Sequence, residues 1–277
     1  MKPFLRIVFA VSVACLTSVV GEGAGSDDAS ATALEVPSGV DHVAWGRLLA
    51  EYVDDKGRVA YARFAGSASD REALRAYVAQ FAQSGTPPAA GRERIASLIN
   101  AYNAFTMSWI LENYPIASIR STRNAFGGRR YDIGGKKVSL DDVEHTMLRP
   151  TAGFRVHSAI SCASRSCPPL SREAYAAPTL DASLDAGMRR WLAREDLNRF
   201  LPAAKKAEVS KVFKWFKEDF ERSGGLKSVL ARYAPRQYQQ FLSKGDYEVV
   251  YLDYDWSLND QAEVKERSLW DKLRGGS

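Results

Sequence analysis

Thiols and imidazoles are scarce in this chain: three cysteines and three histidines in 277 residues, with four methionines. So few cysteines exclude a disulfide-framework protein. Cys162, Cys167, His157 and His145 are the one set that could offer four metal ligands, but their spacings match no zinc pattern, so no metal is expected. No glycine-rich phosphate loop is present and no cofactor is expected. There is no internal repeat, and no linker interrupts residues 40–262. The longest apolar run, Ile7 to Val20, is too short for an ordinary spanning helix, so no integral membrane segment is expected once it is removed. A concentrated basic face is missing as well. The net charge is +5, yet Lys and Arg are interspersed with Asp and Glu, and only short clusters such as Lys205-Lys206 occur. Nucleic acid is therefore not an expected partner.

What is present suits a folded globular chain, with a hydrophobic fraction of 45% and six tryptophans. Lys2 and Arg6 precede the apolar run, and small residues follow it, which is the pattern of an export signal over residues 1–24. An alternative uses Cys15 as a lipidated residue, although Ser12 stands where such signals usually carry Leu. Residues 25–39 read as a flexible spacer, 40–262 as one domain and 263–277 as a charged tail. The expected location is exported, in the periplasm.

Helical spacing marks residues 42–52 and 70–81, with His42 expected at the surface. The longest helix spans Arg92 to Asn113 and is apolar around most of its circumference, so it should be central. Asn100 and Asn103 share its remaining stripe. They either brace a neighbouring loop or contact substrate, because a buried amide needs partners. Arg130 to Val138 reads as a hairpin turning at Gly134-Gly135. Ser139 caps the next helix, which runs to Arg149 and places Glu144 within the apolar stripe of Leu140, Val143, Met147 and Leu148. A carboxylate there requires a cation or hydrogen-bond donors. Short strands are expected at Arg58–Tyr61, Arg199–Leu201, Glu208–Phe213 and Tyr247–Tyr254, with helices at Thr179–Arg194, Trp215–Arg222, Leu226–Tyr233 and Arg236–Leu242. The sum is an α+β fold: a single helix-rich domain with a small, mostly antiparallel sheet.

Everything turns on the stretch from Arg155 to Leu170. Alternation of Val156, Ser158 and Ile160 against His157, Ala159 and Ser161 reads as a strand, and it runs into a small-residue loop carrying Cys162 and Cys167 before Pro168-Pro169. Two readings stay open. In the first, Cys167 is a nucleophile, with Cys162 as the alternative. His157 is the base, with His145 second, and Glu144, Asp255 or Asn103 orients it. Free N–H groups from Ala163 to Ser166 would hold an oxyanion. Asn100, Asn103, Ser166 and Trp256 are the candidate substrate contacts. This set is papain-like by analogy of residue types only. The substrate would be a small molecule or peptide of amide type. In the second reading Cys162 and Cys167 form a disulfide in a non-enzymatic domain that binds another envelope protein, a peptide or a glycan. Thiol–disulfide exchange is disfavoured, because four residues rather than two separate the cysteines.

Four stretches in order carry a family likeness: Leu98-Ile99-Asn100-Ala101-Tyr102-Asn103-Ala104, Val138-Ser139-Leu140-Asp141-Asp142-Val143-Glu144-His145, Arg155-Val156-His157 with Cys162 and Ser166-Cys167-Pro168-Pro169, and Tyr254-Asp255-Trp256-Ser257-Leu258-Asn259. Together they resemble the bacterial and plant family known as domain of unknown function 547, over residues 45–259. That resemblance implies little about activity, since the family's function is unsettled.

Overall fold

Residues 34–83 and 87–262 are described by a computed structural model. The expected export signal, Cys15, most of the spacer and the tail lie outside the described residues. The packed chain begins earlier than composition suggests. Val36, within the stretch read as spacer, is fully buried, and its carbonyl accepts from the N–H of Ala89.

Helices α1 (Val43–Tyr52), α2 (Tyr61–Gly66) and α3 (Ala68–Ala79) surround α4 (Gly91–Asn113), whose residues are buried almost continuously from Ala96 to Ser108. The central helix is therefore as expected. In α1, Trp45, Leu48, Leu49 and Tyr52 face inward, but Val43 at the helix start is exposed. His42 is half-buried rather than at the surface, with Nδ1 2.8 Å from the Tyr77 hydroxyl. Val59 forms only bridges, to Val53 and Asp260, and Tyr61 already begins α2, so no regular strand forms at 58–61.

The hairpin is β1 (Tyr131–Ile133) and β2 (Lys136–Val138), antiparallel, with Gly134 and Gly135 both at positive φ in the turn. Ser139 Oγ then accepts from the Asp142 N–H at 3.0 Å while Asp142 Oδ2 accepts from the Ser139 N–H at 2.9 Å, a reciprocal cap. The helix that follows is not uniformly α. Asp142–Leu148 is wound as a π-helix before α5 (Arg149–Ala152), and the Arg149 N–H reaches the carbonyl of Glu144, five residues back. The wider winding leaves Val143, Met147 and Leu148 buried but brings Glu144 to a half-buried position rather than onto the core stripe.

The expected strand at 156–161 is absent. Gly153, at φ +67°, ends α5, and Phe154–Ser158 continues as a 3₁₀ turn. Val156, His157 and Ser158 are all buried, because the turn threads beneath α6 (Leu180–Leu192) with neighbours on every side. Apolar residues two apart occur equally in such an enclosed turn, so alternation misled here.

The last part of the chain carries a three-stranded sheet in the order β3-β4-β5. Strands β3 (Arg199–Leu201) and β4 (Lys206–Val209) are antiparallel, whereas β4 and β5 (Glu248–Tyr251) are parallel. The segment read as a strand to Phe213 instead turns into α7 (Val212–Trp215), followed by α8 (Lys217–Glu221), α9 (Leu226–Tyr233) and α10 (Arg236–Ser243). The fold is α+β, with one antiparallel hairpin and one mixed sheet. Two hydrophobic clusters fill it. The first centres on α4 with Trp45, Phe81 and Phe105. The second centres on Trp191, Phe213 and Phe220 beneath the mixed sheet. Among the described residues no helix is long and apolar enough to cross a membrane.

Candidate active site

The two clusters meet at a cavity of about 170 Å³, and the residues around it come from separated segments between Tyr102 and Trp256. Tyr102 reaches it from α4, and Asp141, Glu144 and His145 from the π-wound helix. His157 comes from the 3₁₀ turn, and Cys162 and Cys167 from the loop that follows. Phe126, Val212, Trp215, Phe216, Tyr254 and Trp256 complete most of the wall.

The cysteine loop is held on three sides. Asn103 Nδ2 donates to the Ala159 carbonyl at 2.9 Å and Asn103 Oδ1 accepts from the Ser161 N–H at 2.8 Å, so α4 fixes the entry to the loop. On the far side the closing segment 254–261 runs alongside. The N–H of Arg165 donates to Ser257 O at 2.8 Å, that of Ser166 to Asp255 O at 3.2 Å, and that of Asn259 to Ala163 O at 3.0 Å. Gly57 presses on the loop's exit. It sits at φ +74°, and a Cβ there would lie 2.5 Å from Leu170 N, so only glycine fits. Between the cysteines Ala163 takes φ +60°, a left-handed bend that costs a non-glycine residue about 1–2 kcal/mol. Such stored strain is common where a loop must aim side chains.

Both cysteines are free thiols, so the Cys162–Cys167 bridge of the second reading is not formed in this structure. The bend directs the Cys162 N–H at Cys167 Sγ, 2.9 Å away. Burial alone would push the Cys167 thiol up. It is outweighed by hydrogen bonds from the Cys162 thiol, Tyr254 and the Cys162 N–H, which bring Cys167 down to about 6. Cys162 moves the opposite way, well above a free thiol, because it donates to Cys167 and is itself buried. The two thiols are thus pushed in opposite directions, Cys167 down and Cys162 up. Cys162 Sγ also lies 3.2 Å from both Ser164 Oγ and Tyr254 Oη, and those two hydroxyls are 2.6 Å apart.

His157 is 2% exposed and lies 4.1 Å from Phe216, ring centre to ring centre, in a stacked arrangement. Its Nε2 is 2.7 Å from Asp219 Oδ2, so Nε2–H donates to that carboxylate and Nδ1 is left as the acceptor. Asp219 is also gripped by Arg149, through Nε at 2.7 Å and Nη2 at 3.1 Å, and by Arg222. Although burial opposes it, the bonds from His157 and Arg149 hold the Asp219 carboxyl well below the usual carboxylate range. Burial in turn lowers His157, against the pull of Asp219, so the ring is neutral at neutral pH. No hydrogen bond joins His157 to either thiol; they meet only across the cavity.

Glu144 finds no cation within ion-pair distance. Its partner is the Tyr102 hydroxyl, which donates to Oε2 at 3.1 Å. Burial raises Glu144 to about 7, against that hydrogen bond. His145 is more exposed. Its Nδ1 accepts from Arg149 Nη1 at 3.2 Å, and burial and the guanidinium lower it.

Cys162, Cys167, His157, His145, Glu144 and Trp256 therefore share one cavity, and four other expected residues do not line it. Asn100 exchanges bonds of 2.8 and 2.9 Å with the backbone of Tyr175. Asn103 is a brace, as above. Ser166 Oγ accepts from the Asp255 N–H at 2.9 Å, and the Asp255 carboxylate accepts from the N–H and hydroxyl of Ser257. Of the expected oxyanion donors from Ala163 to Ser166, the N–H groups of Arg165 and Ser166 are engaged by the closing segment. Sequence reasoning missed Asp219, Tyr102, Tyr254 and the aromatic pair Trp215-Phe216. Asp219 is one acid among 33 Asp and Glu, 62 residues from the histidine it holds, and carries no local signal. Trp215-Phe216 did carry one, a large aromatic pair on a short helix beside basic residues.

The model of the family described as "Protein of unknown function, DUF547" matches residues 89–192. That segment of the chain is similar to DUF547. No curated protein and no solved structure matches the chain. The matched residues include α4, the hairpin, the π-wound helix and both cysteines, whereas Asp219, Tyr254 and Trp256 lie beyond them. The matched segment thus supplies the thiols, Glu144 and His157, and the rest of this chain supplies the carboxylate and the outer wall of the same cavity.

Proposed function

We propose that this protein is a thiol-dependent hydrolase or transferase, acting on a peptide or amide-type substrate after export to the cell envelope. The observation that carries the reading is the shared cavity: Cys167 Sγ accepts the Cys162 N–H at 2.9 Å and is lowered to about 6, beside Glu144, raised to about 7, and the Asp219-held His157. Two groups whose surroundings push their protonation apart are the signature of assigned acid and nucleophile. In this scheme Cys167 Sγ attacks the acyl carbon and forms a thioester as the bond to the leaving amine breaks. The protonated Glu144 gives its proton to that amine. Water, or an acceptor amine, then attacks the thioester while His157 Nδ1 takes its proton, and Cys167 leaves as the thiolate. Asp219 fixes the histidine ring and its tautomer. The basic residues and apolar run at the N-terminus support export.

The test is alkylation of the reduced protein by iodoacetamide over about pH 5 to 9, with the sites read by mass spectrometry. Cys167 is expected to label first, at a rate that already rises near pH 6, and Cys167→Ala to fold and lose the fast phase. Labelling of Cys167 only above about pH 8, as for an ordinary thiol, overturns the reading. A quantitative Cys162–Cys167 disulfide in protein purified without reductant, with no activity gained on reduction, moves the assignment to a binding domain.

A further inference from the structure

The reaction scheme leaves the charge balance and the aromatic side of the cavity unused. The cavity lining includes two carboxylates, Asp141 and Glu144, and two thiols, but no lysine or arginine. In a chain with 38 Lys and Arg against 33 Asp and Glu, that is the opposite of the average surface. The Arg149 guanidinium beside Phe216 is engaged by Asp219. The same cavity has an aromatic wall. The rings of Trp215 and Trp256 are stacked, with centres 5.7 Å apart, and Tyr254 lies 4.6 Å from each. Trp215 is 45% exposed although it is among the largest apolar side chains. A large ring left in water beside a cavity marks a binding surface more often than a packing fault. These rings also already attract charge, since the Arg120 guanidinium sits 4.8 Å above the Trp256 ring.

We propose that the cavity receives a cationic ammonium group of the substrate, held by the Trp215–Tyr254–Trp256 wall and the Asp141 carboxylate, joined by Glu144 in its ionised form. Aromatic faces and half-buried carboxylates each favour a cation over a neutral group of the same shape, the first through the ring quadrupole and the second through Coulomb attraction. A cavity of about 170 Å³ accepts an ammonium head with its adjoining carbons, not a folded partner. The inference names the substrate class of the site under the thiol reading, and rests on that reading for the claim that what binds there reacts.

Binding and reaction separate cleanly in the test. Tryptophan fluorescence of the intact protein is titrated with choline and, in parallel, with 3,3-dimethylbutan-1-ol, its uncharged isostere, at about pH 8, where Glu144 is ionised. Choline is expected to give a saturable change, with the neutral isostere roughly tenfold or more weaker. Trp256→Leu and Glu144→Gln should each weaken choline severalfold, with unfolding midpoints confirming that the variants fold. Equal response to the two ligands, or saturation by neither, overturns the proposal whatever the variants do. A protein that discriminates for choline but whose Cys167 fails to alkylate keeps the cation site and loses the reaction. One that alkylates without discriminating keeps the reaction and loses the cation site.

Discussion

Asp219 Oδ2 stands 2.7 Å from His157 Nε2, with both side chains buried, and the same carboxylate is the anchor for two arginines. Removing the carboxylate strands the buried His157 N–H and takes the hydrogen-bonded partner from Arg149, at about 1–3 kcal/mol for each group. Asp219→Ala is expected to lose about that much in denaturant unfolding. A loss below about 0.5 kcal/mol, the range of surface changes, would mean the carboxylate is not the anchor.

The same carboxylate sets a pH dependence. Its folded-state pKa lies below its unfolded value, so its contribution is complete above the unfolded pKa of about 4 and declines as pH falls below it. The stability gap between wild type and Asp219→Asn should therefore shrink from about pH 4 towards pH 3. A gap that stays level to about pH 3 contradicts the assignment.

Glu144 predicts the reverse sign. Its folded-state pKa is raised to about 7, so the ionised form is penalised and the protein loses stability as pH rises from the unfolded value through 7. Glu144→Gln keeps an acceptor for the Tyr102 hydroxyl and removes the charge. It should match wild type near pH 4 and exceed it by on the order of 2 kcal/mol near pH 8, partial exposure having been discounted. Thermal or denaturant unfolding at the two pH values checks this, and a variant less stable than wild type at pH 8 rejects it.

The thiol pair gives a third test. The Cys162 thiol and the Tyr254 hydroxyl are donors that keep charge on Cys167. Cys162→Ala leaves the backbone N–H but removes the thiol donor, so the alkylation inflection of Cys167 should rise from about 6 towards the free-thiol value of about 8.5. Tyr254→Phe should move it in the same direction by less. An unmoved inflection in Cys162→Ala means the Cys162 thiol is not what lowers Cys167.

Which of these features could be read from the residues follows from how local they are. The buried α4, the Gly134-Gly135 hairpin and the Ser139 cap depend on neighbours within a few positions, and each formed as its pattern requires. The thiols, Glu144, His145, His157 and Trp256 were identifiable as chemistry-bearing residues, and they do line one cavity. What failed was set by packing at a distance. The turn at 154–158 is helical because it is enclosed on all sides. Glu144 left the apolar stripe because the helix winds wider there. Asp219 arrives only when α8 packs on that turn. The parallel pairing of β4 with β5 across some forty residues is equally invisible to a local pattern.

The two asparagines of α4 make the last distinction, between a brace and a substrate contact. Each amide forms two bonds to backbone in a buried place: Asn100 with Tyr175, and Asn103 with Ala159 and Ser161. Removing either strands a buried N–H and a buried carbonyl, at about 1–3 kcal/mol for each group, so Asn100→Ala and Asn103→Ala should each cost roughly 2–5 kcal/mol in unfolding experiments. Stability alone would not tell them apart, but position does. The Asn103 bonds end one residue before Cys162, whereas those of Asn100 end beyond Leu170. Asn103→Ala should therefore also shift or slow the alkylation of Cys167, while Asn100→Ala should leave it near wild type. If both variants label Cys167 as wild type does, the thiol loop is held by the closing segment alone, and α4 has no part in placing the nucleophile.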